Sequence, residues 1–223
     1  MKALWAAGVE KQVNDKMLFN YLTLGYAQNP GNPDETFFSN IFKLPPRNFL
    51  RYRLKENELV REMYWDWDVD LEELSNTSDD EYVIGEFHRL FTQSVSRRLR
   101  SDVPLGTSLS GGLDSSSVLA TMNELNRTGY KTFSATFPGF PRDESGYIRL
   151  MTEACNAENF QVQPSVDTVL KNFEKICYHQ EEPFQSSSIW GQYSVYELAR
   201  QHGVKVLLDG QGADELLAGY LKY

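Results

Sequence analysis

Across residues 81–100 the apolar positions Val83, Phe87, Leu90, Phe91 and Val95, with Ser94 among them, recur three and four residues apart. That period predicts a helix with one buried face, ended by Ser101, Asp102 and Pro104. The pattern then changes. Val103 to Leu109 is short and apolar enough for an interior strand, and Ser115 to Asn126 returns to helical spacing through Val118, Leu119, Met122 and Leu125. Thr132 to Phe137 reads as a second strand, followed by a helix that Asp143 can cap and that carries Ile148, Met151 and Cys155 on one side. Phe160 to Gln163 reads as a third strand, Val166 to Cys177 and Ser187 to His202 as helices, and Lys205 to Leu208 as a fourth strand. Helices alternating with short apolar strands predict an α/β fold, a parallel sheet flanked by helices on both faces.

The first third of the chain reads differently. Met17 to Gly25 has helical spacing, and QNPGNPDE at 28–35 is a loop by its proline and glycine content. Phe37 to Phe42 leads into LPPRNFLRYRL, where Phe49, Tyr52 and Leu54 are strand material. ENEL at 56–59 supplies a turn before VREMYWDWDVD. Short strands joined by hairpins are expected here rather than a self-sufficient core. Acidic and small residues dominate the following stretch, which sets the expected organisation: 1–66, a linker at 67–80, and 81–223.

Composition narrows the function classes. Of 223 residues, 41% are apolar and 24% charged, which is ordinary for a globular chain. The formal net charge of -9 gives no general attraction to nucleic acid or an anionic membrane, so any bound phosphate must be held by local donors or a metal ion. Cys155 and Cys177 lack the spacing of a zinc site or a disulfide framework and are expected as free thiols of a reducing compartment. Neither a signal peptide nor a long apolar run is evident, so the expected location is cytoplasmic.

Candidate chemistry begins at LGTSLSGGLDSSSVLATM, residues 105–122. A glycine pair between a strand and a helix sits where open α/β sheets collect ligands and where a helix N-terminus offers unpaired N–H groups. Gly111 and Gly112 let the backbone approach an anion, and Ser110, Ser115 and Ser116 add hydroxyls. Asp114 alone would repel phosphate, and it makes sense beside one only with Mg2+ between them. The stretch is neither a Walker A loop, for want of the lysine, nor GxGxxG. The residues therefore indicate a nucleotide phosphate site with the point of cleavage open; the competing reading is a plain strand-to-helix turn capped by Asp114.

VKVLLDGQGADELLAGY, residues 204–220, repeats that order with Gly210, Gly212, and then Asp214 and Glu215 in a first helical turn. The two acids suit the helix dipole by themselves. If both strands are parallel members of one sheet, Asp114 and Asp214 emerge at the same edge and could grip one Mg2+ from two sides of a polyphosphate.

SGGLDSS at 110–116 resembles the PP-loop of ATP pyrophosphatases. With FSATF at 133–137, DES at 143–145, EEPFQSSS at 181–188 and LLDGQGADELLAGY at 207–220, the order and spacing resemble the glutamine-dependent asparagine synthetase family. The resemblance implies an adenine nucleotide alpha hydrolase-like fold and an ATP-dependent carbon–nitrogen ligase. Such an enzyme adenylates a carboxylate such as aspartate with Mg-ATP, releases pyrophosphate and lets ammonia derived from glutamine attack. It implies that Ser110, Gly111, Gly112, Asp114, Ser115 and Ser116 hold the pyrophosphate portion of ATP, that Asp114 and Asp214 hold Mg2+, and that Leu109, Ala135 and Gly210 surround the adenosine. Glu182 matches the acid of the family's EPF segment. KALWAAGVEKQ, YLTLGYAQNPG, IFKLPPRNFLRYRL and YWDWD resemble the closing stretch of the family's glutaminase domain, so the chain is expected to be an internal fragment, with the synthetase domain cut short at its C-terminus. In full length a homodimer is implied.

Three departures accompany the resemblance. Position 2 is Lys2, where the glutaminase needs a cysteine nucleophile, and the lysine that the family carries well downstream of the second cluster is absent from these 223 residues. Gln211 stands where well-studied members carry glutamate, and a neutral amide orients a substrate but cannot serve as a carboxylate base. A different carboxylate acceptor, or an inactive nucleotide-binding fragment, are the alternatives these departures raise.

Overall fold

The computed structural model describes residues 1–66, 80–125, 129–141 and 143–220. The chain divides into two compact units, residues 1–78 with 173–186 and residues 79–172 with 187–223. Apart from Asp80, the expected linker at 67–80 lies outside the described residues.

In the first unit, α1 (Lys2–Ala6) is followed by α2 (Asp15–Leu24), whose N-terminus is capped by Asn14: its side-chain oxygen accepts from the Met17 N–H at 3.3 Å. Gly25 ends α2 in the left-handed region at φ 73°, where a glycine carries no Cβ penalty. Met17 of α2 is buried, as are Phe37, whose ring meets that of Tyr21, and Ile41. The antiparallel hairpin of β1 (Asn48–Arg53) and β2 (Glu58–Met63) is mostly exposed. Its turn falls at residues 54–57, two positions earlier than the sequence predicts, because Asn57 adopts φ 54° and so takes the left-handed turn position that asparagine tolerates. Glu58 and Leu59 are thereby strand residues.

The second unit is the α/β part. Its elements are α3 (Asp80–Arg98), β3 (Leu105–Ser108), α4 (Leu113–Glu124), β4 (Lys131–Ala135), α5 (Ser145–Ala154) and β5 (Glu158–Val162). These are followed by α6 (Val166–Gln180), which runs from this unit into the other, then α7 (Ser188–Gln201), β6 (Val206–Leu208) and α8 (Ala213–Leu217). The four strands form one parallel sheet in the order β5-β4-β3-β6. Val95, Leu99, Val118, Met122 and Leu208 fill one face under α3 and α4, and Leu109, Leu119 and Ile148 continue that layer to α5. Phe133, Val195, Ala199 and Val204 fill the opposite face under α7. Gly106 sits mid-sheet because a Cβ there would lie 2.7 Å from the Lys131 carbonyl oxygen and 3.1 Å from both Leu207 and the Phe133 ring.

Two sequence expectations need correction. The α3 period is helical as read, but only Val95 and, just past the helix, Leu99 are buried, with Phe91 partly so; Val83, Phe87 and Leu90 are exposed, because the apolar packing of α3 is carried by its C-terminal half. Asp143 is not the cap of α5. Glu144 holds that position without a side-chain cap bond, and the Asp143 carboxylate instead accepts from the Phe137 N–H and the Ser145 hydroxyl, both at 2.9 Å. These bonds, the Phe137 N–H first, hold its pKa below the usual carboxylate range.

Met122 is fully buried, so Met122→Ala should cost about 2–5 kcal/mol in urea unfolding, whereas exposed Val166→Ala should stay within about 0.5 kcal/mol. The Asp143 bonds contribute stability above the unfolded aspartate pKa, and that contribution is lost as pH falls through the depressed folded value. Asp143→Asn should therefore flatten the acid limb of a stability–pH curve below about pH 4, measured by denaturant titration at successive pH values.

Candidate functional site

The strand order dictates where a ligand can enter. From β3 the chain moves outward to β4 and β5, then crosses back to lay β6 on the other side of β3. The direction of the connections reverses between β3 and β6, so the loops leaving their carboxyl ends lie at a topological switch point. Both glycine clusters lie there.

Paired side-chain hydroxyls in the sheet interior tie down these strand ends. Thr107 Oγ1 donates to the Leu208 carbonyl at 2.8 Å, joining β3 to β6. Ser134 Oγ donates to the Leu109 carbonyl at 2.6 Å, and the Leu109 N–H donates to the Phe133 carbonyl at 2.9 Å, joining the loop to β4. Asn159 Nδ2 donates to Thr132 Oγ1 and Ser134 Oγ from the neighbouring β5. Thr107, Thr132 and Ser134 are all buried, and satisfied buried polar groups of this kind hold one arrangement of the strands.

The first loop folds around its own serines. Ser115 Oγ accepts from the Ser110 N–H at 3.2 Å, lies 3.0 Å from Ser110 Oγ and donates to the Gly112 carbonyl at 3.3 Å. The Gly112 N–H donates to Ser110 Oγ at 3.2 Å. Ser110 and Ser115 therefore brace the loop with hydroxyls that the sequence assigns to the ligand. Ser116 differs, since its Oγ is buried without a hydrogen-bond partner. Gly111 takes φ 93°, and a Cβ there would lie 3.0 Å from the Glu144 carbonyl oxygen, so both conformation and space demand glycine. Past Gly112, the first-turn amides of Leu113, Asp114 and Ser115 have no acceptor within α4, a twelve-residue helix.

The second loop crosses the first. A Cβ on Gly210 would lie 2.9 Å from the backbone carbon and Cβ of Asp114 and from the Ser115 nitrogen. The two clusters, a hundred positions apart in sequence, thus meet backbone to backbone. Gly212 turns the chain at φ 99° into α8, where Asp214 stands in the first turn with its carboxylate against Gly219. Asp114 and Asp214 each follow one of the two loops, in the first turn of the helix after it. Gln211 is exposed between them in sequence.

Other residues fall elsewhere. The Leu109 side chain is buried with Leu119 and Ile148, so it offers a ligand no surface. Ala135, at the end of β4, packs with Phe133 on the α7 face. Glu182 is used within the first unit, where it accepts from the Phe37 N–H at 3.0 Å and lies 3.6 Å from Lys43 Nζ. The histidines lie away from both loops: His88 faces Glu124 across exposed surface, His179 sits beside the Tyr178 ring, and His202 packs on Phe160. Two residues that sequence reasoning passed over line the crevice region. Glu144 touches Gly111 and its carboxylate approaches Gly112, while Asp209, immediately before Gly210, is half-buried and bonded to Tyr196. An acid directly at the end of an apolar strand is the signal that could have found Asp209.

The donor set suits an anion. Unpaired first-turn amides, a glycine cradle that a Cβ would fill, and an orphaned serine hydroxyl all face phosphate chemistry better than carbon chemistry. For a divalent cation the fit is a sparse one: among the described residues no group of three or more His, Cys, Asp or Glu is gathered. Asp114 and Asp214 alone would suit Mg2+, which takes its remaining ligands from water and phosphate. Among the described residues, no helix is long and apolar enough to cross a membrane.

Gly210→Ala should force the two loops apart, cost about 1–3 kcal/mol and shift backbone amide resonances of Asp114 and Ser115. Gly146→Ala, in α5 with open space around it, should instead raise stability by up to about 1 kcal/mol, read from the same unfolding curves.

Comparison with known proteins adds the family. A putative glutamine-hydrolysing asparagine synthetase 2 of Methanocaldococcus jannaschii is 32% identical over 220 residues, which is 96% of this chain and 41% of that protein. Amidase chyE of Penicillium rubens is 31% identical over 201 residues, 83% of this chain and 30% of that protein. Asparagine synthetase 1 of Bacillus subtilis, also named as glutamine-hydrolysing, is 27% identical over 222 residues, 100% of this chain and 33% of that protein. The chain thus spans less than half the length of each. The asparagine synthase family model matches residues 86–223, taking in both glycine clusters and the sheet between them, and the chain belongs to that family.

Proposed function

We propose that residues 81–223 are the nucleotide-binding part of an ATP-dependent carbon–nitrogen ligase that activates a carboxylate, aspartate being the leading candidate, for amide formation with ammonia. The observation that carries this reading is the backbone contact of Gly210 with Asp114 and Ser115, which joins two anion-suited loops into one site. Residues 1–66 would then be the closing part of a glutaminase domain and 67–80 the linker. Family membership and the glutamine-hydrolysing names of the relatives support the same assignment.

The chain's own residues would divide the work as follows. The amides of Leu113, Asp114 and Ser115 take the pyrophosphate portion of ATP, with the Ser116 hydroxyl within the same turn. Ser110 and Ser115 keep the loop in shape before the ligand arrives, so donors need not reorganise as charge builds on the departing pyrophosphate. Asp114 and Asp214 would hold Mg2+, which supplies charge neutralisation when the phosphoanhydride breaks. The substrate carboxylate is itself the nucleophile, so no protein nucleophile is needed, and the histidines' positions away from the loops are in keeping with that.

A second acceptor class is favoured by one observation. Gln211 is an exposed neutral amide at the mouth of the second loop, where it can orient an acyl group other than that of free aspartate, such as a carboxylate in a peptide or a surface polymer.

Asp114→Ala should weaken Mg-ATP binding by at least about tenfold, measured by isothermal titration calorimetry. Equal affinity in wild type and variant would overturn the nucleotide reading. Pyrophosphate release by the full-length protein against a panel of carboxylates decides between the acceptor classes.

A further inference from the structure

Two glycines of the second cluster are fixed by space and not by backbone conformation. Gly212 needs the left-handed region at φ 99°, but Gly210 and Gly219 lie outside it. A Cβ on Gly210 would meet Asp114, at 2.9 Å from both its carbonyl carbon and its Cβ. One on Gly219 would overlap Oδ1 of Asp214 and lie 3.2 Å from its Cγ and 3.3 Å from its Cα. Each of these two glycines therefore lies against one of the two acids assigned to Mg2+ above.

The chain meets Asp214 a second time because it reverses directly after α8. Ala218, the C-cap, takes φ 53° and ψ 41°, a left-handed position that a residue with a Cβ adopts uncommonly. The Gly219 N–H then donates to the Asp214 carbonyl at 3.1 Å, and the Tyr220 hydroxyl donates to Glu215 Oε1 at 2.7 Å. This reversal treats the two acids of the first turn unequally. Glu215 is bonded to Tyr220, whereas the half-buried Asp214 has no hydrogen-bond or ion-pair partner for its carboxylate among the described residues. Its lone pairs stay open to a ligand from outside.

We propose that the space left at Gly219 aims the Asp214 carboxylate at the cation that accompanies the nucleotide, which makes Gly219 a positioning residue acting through Asp214. The inference rests on the ligase reading above, in which Asp114 and Asp214 hold Mg2+. That ion demands near-ideal octahedral geometry, so an oxygen turned aside by one rotamer no longer serves it. A methyl group at position 219 would claim the volume that Oδ1 fills, and the carboxylate, as the end of a short side chain, would rotate to yield it. Little backbone need move. The substitution therefore acts on where the carboxylate points and leaves the fold in place.

The test measures ATP binding to the full-length protein by isothermal titration calorimetry, once with saturating Mg2+ and once with EDTA. Wild type, Gly219→Ala, Asp214→Ala and the double variant are compared. Gly219→Ala should weaken Mg-ATP binding by about fivefold or more and leave binding in EDTA within about twofold of wild type. In the Asp214→Ala background the same substitution should change Mg-ATP affinity by less than about twofold, since the group it acts through is gone. A general loss of structure would appear in EDTA and in the double variant alike, and either result overturns the proposal. So does a Gly219→Ala protein with wild-type Mg-ATP affinity. Failure of the ligase reading shows separately, as equal Mg-ATP affinity in wild type and Asp114→Ala.

Discussion

Everything at the crevice depends on the pairing of β3 with β6. Three residue pairs, Leu105 with Val206, Gly106 with Leu207 and Thr107 with Leu208, align two strands from distant parts of the chain in parallel. The Thr107 hydroxyl bonded to the Leu208 carbonyl fixes their carboxyl ends at one level. Only with that level fixed can Gly210 lie against the first turn of α4, because a shift of one residue would replace the glycine by a neighbour with a side chain. Register, and not any single catalytic group, makes one site out of two loops.

The supporting layers explain why so short a sheet holds its shape. One face rests on Met122, Val118 and Leu208, the other on Phe133, Val195 and Ala199, so the two inner strands β3 and β4 are covered above and below. Between these layers the interior is partly polar, with Thr107, Thr132, Ser134 and Asn159 bonded to backbone or to one another. Apolar packing supplies adhesion, and the directional bonds choose which arrangement adheres. Two acids of this unit differ in kind: Asp143 accepts from an N–H and an O–H donor, while half-buried Asp209 has, among the described residues, the Tyr196 hydroxyl alone.

Much of this was legible from residue order. Strand, glycine pair and helix were readable at both clusters, since the change from short apolar runs to helical spacing is strong and small residues at the junctions are costly anywhere else. What escaped was decided by tertiary contact. The α3 pattern predicts a stripe buried over its whole length, but apolar packing is carried by Phe91, Val95 and Leu99 in its C-terminal half. The serines of the first loop look like ligand donors in a string, and only the folded loop shows Ser110 and Ser115 turned on each other. Leu109 sits beside the site in sequence and inside the core in space, because strand alternation points its side chain toward Leu119 and Ile148. The hairpin turn moved by two residues for a local reason, the left-handed backbone of Asn57, that composition alone does not rank above the alternatives.

The long span between β3 and β6 also governs when the site comes into being. Thr107 and Leu208 are 101 positions apart, so closing that loop costs chain entropy before any contact repays it, and parallel pairings of this range form late. A growing polypeptide can complete β3, β4 and β5 in turn, yet it has no crevice until synthesis has passed residue 210. Up to that moment the flank of β3 that will receive β6 is an open edge, the part of the nascent molecule most exposed to pairing with the wrong neighbour.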